Sequence, residues 1–129
     1  MHKLKDAYIL WFQYYQILPK PHRRTLGARV DLLFIESIEA VATAAFLVKA
    51  EKLPYVRLAM RKVDTIKVLL QILWETKSLE DKQYIALSEK VDVVGRNLGG
   101  WHNQLVKSLD VTRDKQNSPT QENKVAGKK

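Results

Sequence analysis

Residues 54–76 read PYVRLAMRKVDTIKVLLQILWET, and the spacing of their apolar side chains decides the fold class. Apolar residues recur at steps of three and four, the period at which side chains line one face of an α-helix. Pro54 suits the first turn of a helix, where its missing N–H costs no hydrogen bond. The stretch therefore predicts a helix that buries one face, formed by Val56, Met60, Val63, Ile66, Leu70 and Leu73.

Three other segments show the same period and predict helices over residues 4–18, 25–49 and 79–108. Pro19 stops the first of these, because the residue before a proline avoids helical geometry. Ser78 and Asp81 form a capping-box pattern ahead of the last one. No strand is predicted, since the chain has no sustained alternation of apolar and polar residues and no Asn-Gly or Asp-Gly turn.

Short connections between long helices favour antiparallel neighbours, so residues 1–109 are expected to form an all-α, antiparallel, up-down-up-down four-helix bundle. Residues 110–129 contain two valines and one alanine among polar residues. Burial of so little apolar surface cannot offset the entropy of ordering the chain, so this segment is predicted to be a disordered tail.

The length of 129 residues suits one compact domain and excludes a multidomain enzyme. Cysteine is absent, so no disulfide, thiolate metal site or cysteine nucleophile is available. No apolar run approaches the ~20 residues that span a bilayer, and the start lacks the pattern of a signal peptide. We therefore expect a cytoplasmic protein without membrane association.

The first predicted helix is apolar nearly all round, because Ile9, Leu10, Tyr14 and Ile17 lie outside its main stripe. This excess of apolar surface predicts a subunit interface. The alternative is that the tyrosines only expose their hydroxyl ends.

Gly95 and Gly99 share a face of the last predicted helix and permit close approach of a neighbouring helix. The three-to-four residue spacing of apolar side chains continues beyond these glycines, which favours a helix that extends past them. The opposing interpretation is that Gly99-Gly100 ends it.

The sequence offers no catalytic or cofactor site. The three histidines lack metal-ligand spacing, the Glu-x-x-His pattern of di-iron bundles is missing, and no phosphate-binding glycine loop is present. We expect a chain that is not an enzyme and holds neither metal nor cofactor.

The charge of the chain is the feature that points to a function. The chain has a net charge of +8, and residues 1–109 alone contain 17 basic and 11 acidic residues. A basic surface of this kind suits nucleic acid or an acidic protein face, although solvation or ion pairs within the bundle remain open for any single residue. The candidate contacts are Lys20, Arg23, Arg24, Arg29, Arg57, Arg61, Lys62 and Arg96.

Four strings carry a family resemblance: LPKPHRRTLGARV (18–30), LPYVRLA (53–59), KVDTIKVLL (62–70) and VGRNLGGW (94–101). Together they resemble Avd, the accessory variability determinant of diversity-generating retroelements, over about residues 4–108. His102 departs from the resemblance, since an aliphatic residue is expected after the tryptophan.

The resemblance implies a four-helix bundle that assembles as a positively charged homopentameric ring. It also implies that the ring binds the reverse transcriptase and the template RNA or DNA, and that it supports mutagenic cDNA synthesis without catalysing it. The candidate contacts above would then touch nucleic acid or polymerase. The alternative is the related bundle encoded in ribosomal RNA intervening sequences, an oligomer of obscure function.

Overall fold

The structure is a computed structural model that describes the backbone of residues 1–117 and the side chains of residues 1–111. This part of the chain is all-helical. Its helices are α1 (His2–Tyr15), α2 (Lys20–Arg23), α3 (Leu26–Ala45), α4 (Lys49–Glu75) and α5 (Asp81–Asn117).

The four long helices pack side by side around one core, as in a four-helix bundle. α3 packs against α4, α4 against α5, α5 against α1, and α1 against α3. Each helix contributes its predicted apolar stripe, and the largest buried side chains are Trp11 and Phe34. Stacking of Trp11 on Phe34, with ring centroids 6.2 Å apart, joins α1 to α3. The predicted fold class is thus confirmed as all-helical for the described residues.

The link after α1 differs from the prediction. α1 ends at Tyr15, three residues before the predicted end, and Pro19 precedes the short helix α2, which lies between the predicted helices. Proline has a fixed φ and lacks an N–H, so it starts the new helix rather than ending the old one. Leu18 remains buried and anchors the link in the core.

The start of α4 also corrects a prediction. The helix begins at Lys49, so Pro54 lies inside it and not in its first turn. Val48 has extended geometry, and its carbonyl accepts hydrogen bonds from the amides of Glu51 and Lys52 at 2.9 and 3.0 Å. These bonds open α4 and end the predicted 25–49 helix early, at Ala45. The proline costs α4 one backbone hydrogen bond, which a helix of 27 residues tolerates.

The start of α5 uses a different cap from the predicted one. The amide of Glu80 donates to the side-chain oxygen of Gln83 at 3.0 Å, and Gln83 is the third residue of the helix. The Ser78 hydroxyl instead bonds His22. α5 continues to Asn117, past the predicted tail boundary at residue 109, because extending a formed helix costs little. The rest of the predicted tail, residues 118–129, lies outside the described residues.

The glycines have unequal roles. A Cβ added to Gly27 would lie 2.8 Å from Leu18 Cδ1 and 2.9 Å from the carbonyl oxygen of His22, so only glycine fits where α3 meets the preceding link. α5 runs on through Gly99 and Gly100, as predicted. No neighbouring helix uses the space at Gly99, where no atom outside the surrounding backbone of α5 lies within 4 Å of an added Cβ. At Gly95 an added Cβ would lie 3.0 Å from Lys67 Nζ of α4.

Within residues 1–117, no helix is both long and apolar enough to cross a bilayer.

Candidate nucleic-acid interface

The first group of candidate contacts surrounds α2. Lys20, Arg24 and Arg29 are exposed there. Arg23 is half-buried, and its Nε and Nη2 donate to the carbonyl oxygen of Leu18 at 3.2 and 3.0 Å. The guanidinium of Arg23 therefore closes the α1–α2 link, and its two bonds hold it in place.

A hydrogen bond between His22 Nδ1 and Ser78 Oγ holds α2 against the turn before α5. A helix of four residues is too short to be stable alone, so contacts of this kind are what order it. The α2 cluster, defined as Lys20, Arg24 and Arg29, is thus fixed at the end of the bundle where α4 gives way to α5.

The second group lies along α4. Arg57 is exposed, and its Nε donates to Nε2 of His102 on α5 at 3.2 Å. This contact joins residues 45 positions apart. Because that distance in sequence carries no periodic signal, the sequence marks His102 only as a departure from the family pattern and does not reveal its contact with a candidate residue.

Arg61 and Lys62 are adjacent in sequence but separate in space. Arg61 is exposed, one turn after Arg57. Lys62 turns towards α3, where its Nζ lies 2.9 Å from Oε1 of Glu36, and only 22% of its side chain is exposed. Lys62 is therefore paired within the bundle, the alternative that the sequence left open.

Arg96 borders a groove of about 330 Å³ between α4 and α5. Lys67 Nζ lies 3.7 Å from Asp92 Oδ1 within this groove, and both side chains are largely exposed. Arg96 makes no hydrogen bond or ion pair with another side chain in the described part of the chain, which leaves its charge available. We define the α4–α5 cluster as Arg57, Arg61, Arg96 and His102.

The structure does not bring the eight candidates into one patch. Arg57 lies eighteen residues before the end of α4 at Glu75, which corresponds to about 27 Å along the helix axis. The α2 cluster lies at that far end. A single copy therefore presents two separate basic clusters, which is suited to an extended polyanion more than to a compact anion.

One aromatic pair, exposed Trp74 and half-buried Tyr84, lies among acidic side chains. Trp74 and Tyr84 stack with ring centroids 4.7 Å apart, and Trp74 Nε1 donates to Asp81 Oδ1 at 2.7 Å. Glu75 and Glu80 border the same depression. A carboxylate-rich rim repels phosphate groups, so this aromatic pair is poorly placed to stack nucleotide bases beside the basic clusters.

An apolar face remains uncovered on the outside of α1 and α3. Ile9 and Phe12 of α1 are 55% and 47% exposed, and Leu32 and Ile35 of α3 are 43% and 37% exposed. Of the four residues predicted to lie outside the main stripe of the first helix, Ile9 and Ile17 are 55% and 68% exposed, whereas Leu10 and Tyr14 pack against the core. Large apolar side chains that share a surface are typical of protein contacts.

Asp31 ties α1 to α3 beside this face. Its Oδ1 accepts a hydrogen bond from Trp11 Nε1 at 3.3 Å. Burial, together with a hydrogen bond to Asp31 and its negative charge, raises the pKa of Tyr8 to about 12. A tyrosine that stays protonated here contributes hydrogen bonding and packing without adding charge.

No group of three or more histidine or acidic side chains within the described residues is placed to hold a metal ion.

Comparison with known proteins adds no relative. No protein-family model matches the chain, and neither does a curated protein or a solved structure at a significant level of similarity.

Proposed function

We propose that this chain is a non-catalytic accessory protein of a diversity-generating retroelement. In this role it binds the reverse transcriptase and the template RNA, or its DNA form, through basic surfaces in the cytoplasm, and it supports mutagenic cDNA synthesis. The four strings that resemble the Avd family support the proposal, and they span α2, α3, α4 and α5. No step of the reaction is assigned to a residue of this chain.

One observation carries the proposal: most of the candidate cations lack an anionic partner inside the bundle. Among the eight, only Lys62 pairs with a carboxylate in the described residues. Five of the others, Lys20, Arg24, Arg29, Arg61 and Arg96, make no side-chain hydrogen bond or ion pair there. Unpaired cations held on rigid helices repel one another, and an external polyanion relieves that repulsion. Arginine also forms paired hydrogen bonds with phosphate oxygens.

Assembly belongs to the same proposal. The interhelical pairs support an up-down-up-down topology, since residue numbers fall on one helix as they rise on its neighbour. Arg57 bonds His102, and Lys67 pairs with Asp92 further along. The exposed apolar face of α1 and α3 supports a homo-oligomer, for which we propose a pentameric ring. A closed ring would repeat both basic clusters around one axis.

The same apolar face favours a second candidate, a structural oligomer of the kind encoded within ribosomal RNA intervening sequences. The two candidates differ in what surrounds the gene. A reverse-transcriptase gene and a template/variable repeat pair beside it would support the accessory role, whereas a position inside a ribosomal RNA operon would support the structural one.

Binding to a labelled single-stranded RNA tests the accessory role directly. The Arg57→Ala/Arg61→Ala variant should bind more weakly, and its plot of log K against log salt should flatten by about 1.4, the loss expected for two phosphate contacts. Its stability should change by only about 0.5 kcal/mol, as for other surface substitutions.

The matched control is Lys82→Ala/Lys90→Ala, which removes the same charge from exposed positions of α5. Equal losses in the two variants would show that net charge alone drives binding. RNA binding unchanged in the arginine variant would contradict the proposed interface.

A further inference from the structure

The contact between Arg57 and His102 constrains the protonation state of the histidine. Arg57 Nε is a hydrogen-bond donor, so Nε2 of His102 must accept with its lone pair. The proton of the neutral ring then lies on Nδ1, which is 3.4 Å from Oδ1 of Asn103. His102 is therefore neutral whenever this pair is formed, and the bond occupies the Nε–H of Arg57.

A phosphate group at this place reverses the role of Nε2. Phosphate oxygens are acceptors, so a neutral Nε2 facing them would bring two lone pairs together, which is repulsive. A neutral ring could donate from Nε2 only by giving up the proton on Nδ1 that faces Asn103 Oδ1. One proton taken from solvent keeps the Nδ1–H, makes Nε2 a second donor and turns the ring into a cation. Arg57 and His102 then present parallel N–H groups, and the Arg57–His102 bond gives way to two charge-assisted bonds to the anion.

The charges around the pair do not by themselves attract a proton to His102, so the bound anion has to supply the attraction. Lys62 pairs with Glu36, and Lys52 donates to the carbonyl oxygen of Ala44, so both are turned towards α3. Asp64 is the carboxylate nearest along the groove, where it lies beside Arg96. The other charged residues within two turns of the pair on α4 and α5 are Glu51, Arg61, Asp64, Arg96 and Lys107, which together carry one more positive than negative charge.

We propose that Arg57 and His102 form a phosphate-binding site on the α4–α5 groove, and that occupation of this site by a nucleic-acid phosphate is coupled to uptake of one proton by His102. This inference rests on the proposed function and adds to it a contact residue that the family resemblance does not supply.

The test measures affinity for a labelled single-stranded RNA of mixed sequence at fixed salt, at about pH 8 and about pH 6. For the wild-type chain, affinity should rise about threefold or more on going to the lower pH, within the limit of tenfold per pH unit for one proton. In His102→Gln the amide oxygen still accepts from Arg57 but takes up no proton, so most of the rise should disappear.

Two controls make the result specific. His2→Gln removes a histidine that lies outside both basic clusters and should keep the pH dependence. His102→Lys supplies a permanent positive charge without an acceptor, so at about pH 8 it should bind at least as tightly as the wild-type chain does at about pH 6.

A pH dependence in His102→Gln equal to that of the wild-type chain would overturn the inference while leaving RNA binding, and hence the proposed function, intact. No RNA binding by the wild-type chain at either pH would refute the proposed function and this inference together.

Discussion

Replacement of Gly27 by alanine tests the tightest contact in the fold. The added Cβ would lie 2.8 Å from Leu18 Cδ1, 2.9 Å from the His22 carbonyl oxygen and 3.0 Å from Tyr15 Cε1. The Leu18 methyl can rotate away, but the His22 oxygen belongs to the backbone of α2. Overpacking of this kind costs about 1–3 kcal/mol, and the helix propensity of alanine returns at most about 1 kcal/mol. We expect Gly27→Ala to lose about 1–2 kcal/mol of stability.

Gly100→Ala is the matched control. The position is helical and exposed, and no atom lies within 4 Å of the added Cβ. Alanine there should gain up to about 1 kcal/mol, because only the propensity effect acts. The two variants make the same chemical change inside helices and should shift stability in opposite directions.

Urea unfolding followed by circular dichroism measures both variants at one protein concentration, since oligomers gain apparent stability with concentration. The expected difference in stability between them is about 1–3 kcal/mol. Equal stability of Gly27→Ala and the wild-type chain would refute the reasoning, because it would mean that α2 moves away from α3 without cost.

Three further predictions concern the tyrosine, a helix end and the assembly. The pKa of Tyr8 in the folded protein is about 12, against 10 for an ordinary tyrosine, so this group destabilises the fold as the pH rises from 10 to 12. Phenolate absorbance should show a late titration that Tyr8→Phe removes, and Asp31→Asn should lower the pKa of Tyr8. Lys77 has a φ of 67° just after α4, so Lys77→Gly should gain about 0.5–1 kcal/mol in thermal unfolding, while Lys90→Gly inside α5 should lose about 1 kcal/mol. Light scattering should give a mass near five times 14.9 kDa. Stable oligomers persist at protein concentrations on the order of tens of micromolar, so a monomeric mass there would contradict the ring.

The sequence by itself determined the helical class, the faces that are buried and the excess of basic charge. These follow from composition and from the three-to-four residue period, which are local properties of the chain. Val56, Val63, Ile66, Leu70 and Leu73 are all buried on the predicted face of α4.

Helix ends were predicted less well, because alternatives of similar energy compete there. Pro54 could start a helix or lie inside one, and packing of α4 against its neighbours decided between them. Ser78 could cap α5 or bond another element, and the approach of His22 took its hydroxyl.

The candidate interface shows the same division between local and tertiary information. The sequence supplied the cations, but their partners lie on other helices: Glu36 engages Lys62, and His102 engages Arg57. Which charges stay free, and which histidine faces an arginine, depends on how the four long helices pack. Only the tertiary structure decided this, because it places side chains distant in sequence within hydrogen-bond reach, a relation that no local period encodes.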